Sequence, residues 1–285
     1  MKSLSFLLLF SIFAIQLHGQ NISGTVIDFS SGEPLVYVSI GVMETTKGTI
    51  SDEKGNFNLD ASGQSIKLAV RFSMIGYKSQ TFTIEELSKN QNIIKLKSEP
   101  IQLAPITIKP SGKIKEIGTT GYSKGIVCGW GGTYFGKGQE IGLKIELGAL
   151  PVRIKSLHFR LDKQTFDSSL FRLHIREIVE NMPHNELLDQ NIFIPVTKES
   201  GWIDIDLSNY NFVFSGDIAL SLEWIKVVGI HQDRLVKVRE SDQASPGVLF
   251  NAKKRKGRIY SRWGSEAKWV TSDSHSPSFY LTVQE

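Results

Sequence analysis

Short apolar runs of period two, broken every few residues by turn-forming side chains, run through the chain from Ile22 onward, and helical periodicity is poor throughout. Val36, Val38, Ile40 and Val42 fall on one face of a strand, and Tyr37, Ser39 and Gly41 on the other. Further strands are expected at residues 22–27, 56–59, 66–73, 78–84 and 93–96. Between them lie Ser31-Gly32-Glu33-Pro34, Asp52-Glu53-Lys54-Gly55 and Ser62-Gly63, all suited to tight turns. Strands this short and this regularly spaced predict a small antiparallel sandwich. Residues 85–90 are the one short helical candidate.

The order of I-S-G-T-V at 22–26, G-E-P-L-V-Y-V-S-I at 32–40, G-T-I-S-D-E-K-G-N-F at 48–57 and I-G-Y-K at 75–78 resembles the carboxypeptidase-regulatory-like domain, a transthyretin-like sandwich of Gram-negative envelope proteins. The resemblance spans about residues 21–97 and implies that these residues build a fold and do no chemistry. Gly48, Gly55 and Gly76 suit turns or close backbone approaches, while Phe57, Phe72 and Tyr77 supply core bulk.

Composition limits what surrounds this domain. At 285 residues with 40% apolar content, the chain has room and material for a second core. The expected organisation is a signal peptide at 1–19, the first sandwich at 20–97, a linker at 98–121 and a second, jelly-roll-like sandwich at 122–285, so the chain reads as all-β. Lys2 followed by the apolar run of residues 4–15 gives the export signal, and that run is too short to span a bilayer. No later segment is apolar enough to cross, so no transmembrane segment is expected in the mature chain. Pro100, Pro105 and Pro110 break any sheet in the linker. Residues 101–108 resemble the segment that joins this domain to the plug of TonB-dependent nutrient receptors, although no plug or barrel follows. The expected location is the periplasm, outer membrane or surface of a Gram-negative bacterium.

In the second region, strands are expected at residues 140–147, 152–161, 171–179, 192–196, 202–207, 218–224 and 279–283. Phe171, Leu173 and Ile175 oppose Arg172 and His174; Ile203, Ile205 and Leu207 oppose Trp202, Asp204 and Asp206. That alternation predicts sheets with one buried and one wet face, with His174 exposed between Arg172 and Arg176. The pattern loosely resembles jelly-roll accessory domains of secreted proteins, carbohydrate-binding modules among them.

Catalytic patterns fail on context. Gly121-Tyr122-Ser123-Lys124-Gly125 matches G-x-S-x-G, but no strand precedes it and no helix follows. His174 and Glu177 match H-x-x-E, yet residues three apart on a strand face opposite ways. His184 and Glu186 form H-x-E without the P-C-x-x-C of zinc deaminases and read as a solvated loop. Cys128 is the only cysteine, which excludes an intramolecular disulfide, and its apolar neighbours make it a small buried residue. No catalytic residue, metal site or cofactor is expected.

Binding candidates remain. Trp130 and Tyr134, in the glycine-rich segment 129–138, could stack on a sugar face. Trp202, Asp204 and Asp206 share a strand face. Glu223 and Trp224 alternate, so one of the two faces the core. Lys253, Lys254, Arg255, Lys256, Arg258 and Arg262 form the densest basic patch, interleaved with Tyr260 and Trp263, and suit an acidic glycan or an anionic surface. A net charge of +4 is too small to point to nucleic acid. The chain therefore reads as a non-catalytic exported envelope protein, a binding or assembly module for a glycan or a partner protein, with a place beside a TonB-dependent uptake system as one setting. The alternative is a glycoside hydrolase or other carbohydrate-active enzyme with its acids on the second sandwich.

Overall fold

A computed structural model describes residues 21–89, 91–99, 112–132, 138–239, 241–254 and 257–285. The expected signal peptide, most of the linker and the receptor-like segment 101–108 lie outside these residues. The described residues are nearly all β, as the alternation requires.

The first sandwich contains β1 (Asn21–Asp28), β2 (Ser39–Val42), β3 (Gly48–Ile50), β4 (Asn56–Asp60), β5 (Ala69–Ser73), β6 (Gln80–Thr83) and β7 (Asn92–Leu96). They form two sheets, ordered β4-β1-β7 and β3-β2-β5-β6, with β1 and β7 parallel and the other pairs antiparallel. Val26, Val38, Ile40, Val70 and Phe72 are fully buried between the sheets. Phe72 meets Phe57 and Phe82 edge-on, at 5.3 and 5.9 Å, a geometry that pairs ring edge with ring face. A short helix, α1 (Ile84–Leu87), starts one residue before the expected stretch because Thr83 and Glu86 close a capping box. Gly55 takes φ +74° in the turn before β4, a conformation open to glycine at no cost.

The second sandwich is assembled from β8 (Ile114–Gly118), β9 (Val127–Gly131), β10 (Gln139–Glu146), β11 (Val152–Gln164), β12 (Ser168–Val179), β13 (Met182–Glu186), β14 (Ile192–Val196), β15 (Gly201–Asp206), β16 (Val213–Phe214), β17 (Asp217–Val228), β18 (Gly247–Lys253), β19 (Ile259–Arg262), β20 (Val270–Ser272), β21 (Ser276–Pro277) and β22 (Phe279–Gln284). One sheet runs β13-β12-β17-β10-β19-β20 with β14 also on β12; the other runs β21-β18-β11-β22-β8 with β15, β16 and β9 attached. β8 lies within the stretch read as linker and pairs with the C-terminal strand β22, so this sandwich recruits residues upstream of 122. Phe159, Phe171, Phe250 and Phe279 cluster in its core at centroid separations of 5.1–6.3 Å.

The two sandwiches are docked against each other. The docking face of the second is the outer face of the β12-β17-β10-β19 sheet, and there the structure departs from the sequence expectation. Arg172, His174 and Arg176 are buried rather than wet, as are Glu140, Glu223 and Arg262. Period two correctly separates these polar residues from the core, but the first sandwich and the segment after β19 cover them. The same contact explains why β2 is buried on both faces, with Ser39 and Gly41 turned toward the second sandwich. Glu223 and Trp224 do point opposite ways, yet both are buried.

Candidate functional site

The docking face begins as a row of cross-strand neighbours. Register places Arg172 opposite Glu223, Glu223 opposite Glu140 and Glu140 opposite Arg262, so an R-E-E-R row crosses four strands. Two adjacent carboxylates with no solvent repel each other unless cations flank them, and this row flanks both.

Arg172 uses every N–H it has. Its Nε and Nη2 donate to Glu223 Oε2 at 2.8 and 2.5 Å; Nη2 also donates to Ser39 Oγ (2.6 Å), and Nη1 donates to the Tyr37 carbonyl (2.8 Å) and Asn191 Oδ1 (3.2 Å). Ser39 and Tyr37 belong to the first sandwich, so one guanidinium ties the two together. Tyr37 holds φ +60°, unusual for a bulky residue, where it aims this carbonyl. Glu223 further accepts from Ser39 (3.3 Å) and from the Ser265 hydroxyl. Glu140 accepts from Arg176, from Ser221 and from Arg262 Nε at 2.8 Å.

His174 stands between two carboxylates, with Nδ1 2.6 Å from Glu186 Oε2 and Nε2 2.9 Å from Glu223 Oε2. An ionised carboxylate only accepts, so both ring nitrogens must donate and the ring is an imidazolium. Burial and Arg176 oppose that charge, but Glu140 and Glu186 outweigh them and hold the pKa above its ordinary 6.5. Burial alone would raise Glu140; Arg176, Arg262 and His174 instead bring it down to about 2. Glu223 and Glu186 are held low despite burial, by Arg172 with His174 and by His174 with Arg176 respectively. With both nitrogens engaged, His174 has no lone pair for a metal and none to take a proton. Through Ser39 and Tyr37 the cluster ties the two sandwiches together.

These shifts set a pH dependence. The raised pKa of His174 means its contribution is complete below about pH 6.5, the unfolded value, and is lost as pH rises through the folded one. The depressed carboxylates behave oppositely: their contribution is present above the ordinary 4.5 and fades as pH falls through the folded values, about 2 for Glu140. Urea midpoints of the native chain should therefore decline on the alkaline side, and His174→Gln should flatten that limb. An unchanged alkaline slope in the variant would sink the assignment.

Beside the cluster the two sandwiches leave a cleft of about 1000 Å³. Met43, Arg71, Met74 and Ile75 line it from the first sandwich; Arg172, His174, Arg176, Met182, Glu186 and Trp269 line it from the second. Arg262 lies 4.6 Å from the centre of the Trp269 ring, a cation–π contact. Glu266 accepts from Ser73 at 2.7 Å and pairs with Arg71 at 3.6 Å across the cleft. Ile75 also packs on the core of the second sandwich.

The sequence-expected ligand residues are scattered. Trp130 is a core residue, not an exposed ring: β9 pairs with β18, which turns Cys128 and Trp130 inward, and Trp130 stacks on Trp224 at 5.6 Å. Burial pushes the Cys128 thiol up to about 12, which makes it inert. Tyr260 is likewise buried rather than available to a ligand, and Arg262 belongs to the ion cluster rather than to a basic surface patch. Lys253 and Lys254 are exposed, Arg258 pairs with Asp273 at 3.3 Å, and Trp263 is 56% exposed. Tyr134, Arg255 and Lys256 lie outside the described residues. Trp202, Asp204 and Asp206 do sit on an outer sheet face: Trp202 meets Tyr280 edge-on, Asp204 pairs with His158 at 2.6 Å, and Asp206 accepts from the Ser208 amide. His184 and Glu186 occupy strand β13 instead of a loop, because a bulge lets this segment pair with β12. Glu177 turns away from His174 to bond His184 and Asn185, as strand geometry requires.

Sequence comparison bears on one of the two sandwiches. Residues 22–108 match the model of the CarboxypepD_reg-like domain. That domain covers the first sandwich and not the docking face of the second. No curated protein matches the chain. Among solved structures, the chain is similar to the cysteine protease and lectin-like domains of Cwp84, a surface layer associated protein of Clostridium difficile, at 9% identity and TM-score 0.36, over 95% of this chain and 59% of that one. It is similar to infectious bursal disease virus, Gt strain, at 10% identity and TM-score 0.22, over 93% and 59%. The chain thus spans about 59% of the length of each. Among the described residues no helix is long and apolar enough to cross a membrane.

Proposed function

We propose that the chain is a non-catalytic binding or assembly module of the Gram-negative envelope, in which the CarboxypepD_reg-like domain and the second sandwich act as one body and present the cleft between them to an envelope partner. The observation that carries this reading is the cleft itself: both sandwiches line it, and a charge cluster fixes their relative position. Clefts between domains are where ligand sites concentrate. The setting beside a TonB-dependent uptake system belongs to the same proposal and rests on the resemblance of residues 101–108.

The carbohydrate-active alternative needs a carboxyl with a raised pKa to protonate the leaving group. Glu140, Glu186 and Glu223 are all pushed the other way by arginine and imidazolium partners. Asp204 and Asp206 stand on an open sheet face. Purified chain is expected to release no reducing ends from envelope polysaccharides, and a photo-crosslinking side chain at Met43 to label an envelope component that one at Asp204 does not. Reducing-end release abolished by Asp204→Asn or Asp206→Asn would establish the enzyme instead.

A further inference from the structure

All three methionines of the described residues line the interdomain cleft: Met43 and Met74 on one wall, Met182 on the other. Each is half-buried, and Met74 packs partly on the core of the first sandwich. A methionine side chain turns about three bonds and is polarizable, which lets it mould to irregular apolar shapes. It has no donor and only a weak acceptor, so it offers little to sugar hydroxyls. Ile75 extends the same apolar wall. The large aromatic rings in the lining are Tyr77 and Trp269, and the indole is already engaged by Arg262; the cleft is poorly equipped with the free flat faces on which a sugar stacks.

Charge narrows the occupant further. Six permanent cations line the cleft, Arg71, Lys78, Arg172, Arg176, Arg262 and Lys268, against four carboxylates, Glu44, Glu99, Glu186 and Glu266. Arg172, Arg176 and Arg262 are buried and committed to Glu223 and Glu140, so the cations a ligand reaches are Arg71, Lys78 and Lys268. The volume, about 1000 Å³, is at the top of the range for a drug-sized ligand. Met182 also lies on β13, the outermost strand of its sheet, where an extended chain can lie alongside. Pro183 removes one backbone donor from that edge, which leaves side-chain contacts to carry most of the affinity.

We infer that the cleft takes an extended polypeptide segment bearing apolar side chains and carboxylates, the apolar groups against the three thioethers and an acid near Arg71. This rests on the binding-module reading and selects its protein branch over its glycan branch.

Methyl NMR of the full chain labelled with ¹³C at the methionine methyls tests it, with the three cleft signals assigned by single Met→Leu variants. The probes are synthetic octapeptides alternating leucine with glutamate, leucine with lysine, and serine with glutamate, together with a neutral and an acidic hexasaccharide. The leucine–glutamate peptide should shift the Met43, Met74 and Met182 signals, the other two peptides far less, and the saccharides not at all. Arg71→Glu should weaken binding of the leucine–glutamate peptide about tenfold, as an attractive charge pair becomes a repulsive one; Lys78→Glu is a second charge reversal should the first perturb folding. Shifts with a saccharide and none with the leucine–glutamate peptide would overturn the polypeptide assignment while leaving a binding module. No shift with any probe would overturn both.

Discussion

Glu223→Gln should lower the stability of the chain by about 3–5 kcal/mol, the cost of removing one partner from a buried ion pair. The substitution keeps shape and volume, so no cavity contributes. It removes the negative charge that accepts from Arg172, His174, Ser39 and Ser265 together. The guanidinium and the imidazolium then share a dry interface with one fewer counter-charge. The amide offers a single acceptor oxygen where five hydrogen bonds arrived, and its NH₂ is met only if the Ser39 or Ser265 hydroxyl turns to accept. In urea the midpoint should fall with little change in slope, the mark of lost stability rather than of a changed unfolded state. Asp204→Asn, at a surface pair with His158, should cost under about 1 kcal/mol. A loss from Glu223→Gln as small as that would mean the cluster is not buried. Replacing the whole cluster with apolar residues is a different experiment and could leave stability unchanged, because burying these charges is itself expensive.

Gly48→Val should separate the two sandwiches. A Cβ at Gly48 would run into the Ser265 carbonyl oxygen and lie 2.8 Å from the carbonyl carbon of Gly264 and the amide of Ser265, all backbone atoms of the other sandwich. Gly264 reciprocates, with its own Cβ position 2.8 Å from Gly48 Cα. Gly48 does not need a positive φ, so within its own sheet a side chain is tolerated and the penalty belongs to the interface. Overpacking of this kind typically costs about 1–3 kcal/mol, and here the interface can escape it by opening. Opening would expose the charge cluster to water, where its members are comfortable without one another. The sandwiches of the variant should then melt as two calorimetric transitions, and the Lys268 amide bond to the Thr45 carbonyl, 2.7 Å across the interface, should lose protection from hydrogen exchange.

Much of the first sandwich was legible in the sequence because one local rule sufficed there. Alternation put Val38, Ile40 and Val42 on one face, Phe57 and Phe72 read as core bulk, all five are buried, and the turns at Gly32 and Gly55 fell where expected. The same rule separated Phe171, Leu173 and Ile175 from Arg172, His174 and Arg176, but period two says only that two faces differ; it does not say what covers the polar one. The available signal was three basic residues at i, i+2 and i+4 on one strand, with acids at Glu140 and Glu223 on others. Reading it required the register between distant strands, which no local pattern supplies. Trp130 was misplaced for a different reason. Its glycines suggest an exposed loop, yet Gly129 is small because a Cβ there would run into the Val248 carbonyl oxygen on β18, and the Cys128–Trp130 alternation was a strand pattern after all. The cleft and its three methionines join residues 39–99 to residues 172–269 and had no sequence signature.

Scanning calorimetry of the unaltered chain near pH 6 reads whether the buried charge cluster joins the two sandwiches into one body. Shared burial of Arg172, His174, Glu223 and Ser39 predicts a single transition, which Gly48→Val divides into two. Two independent transitions in the unaltered chain, insensitive to Glu223→Gln, would contradict it.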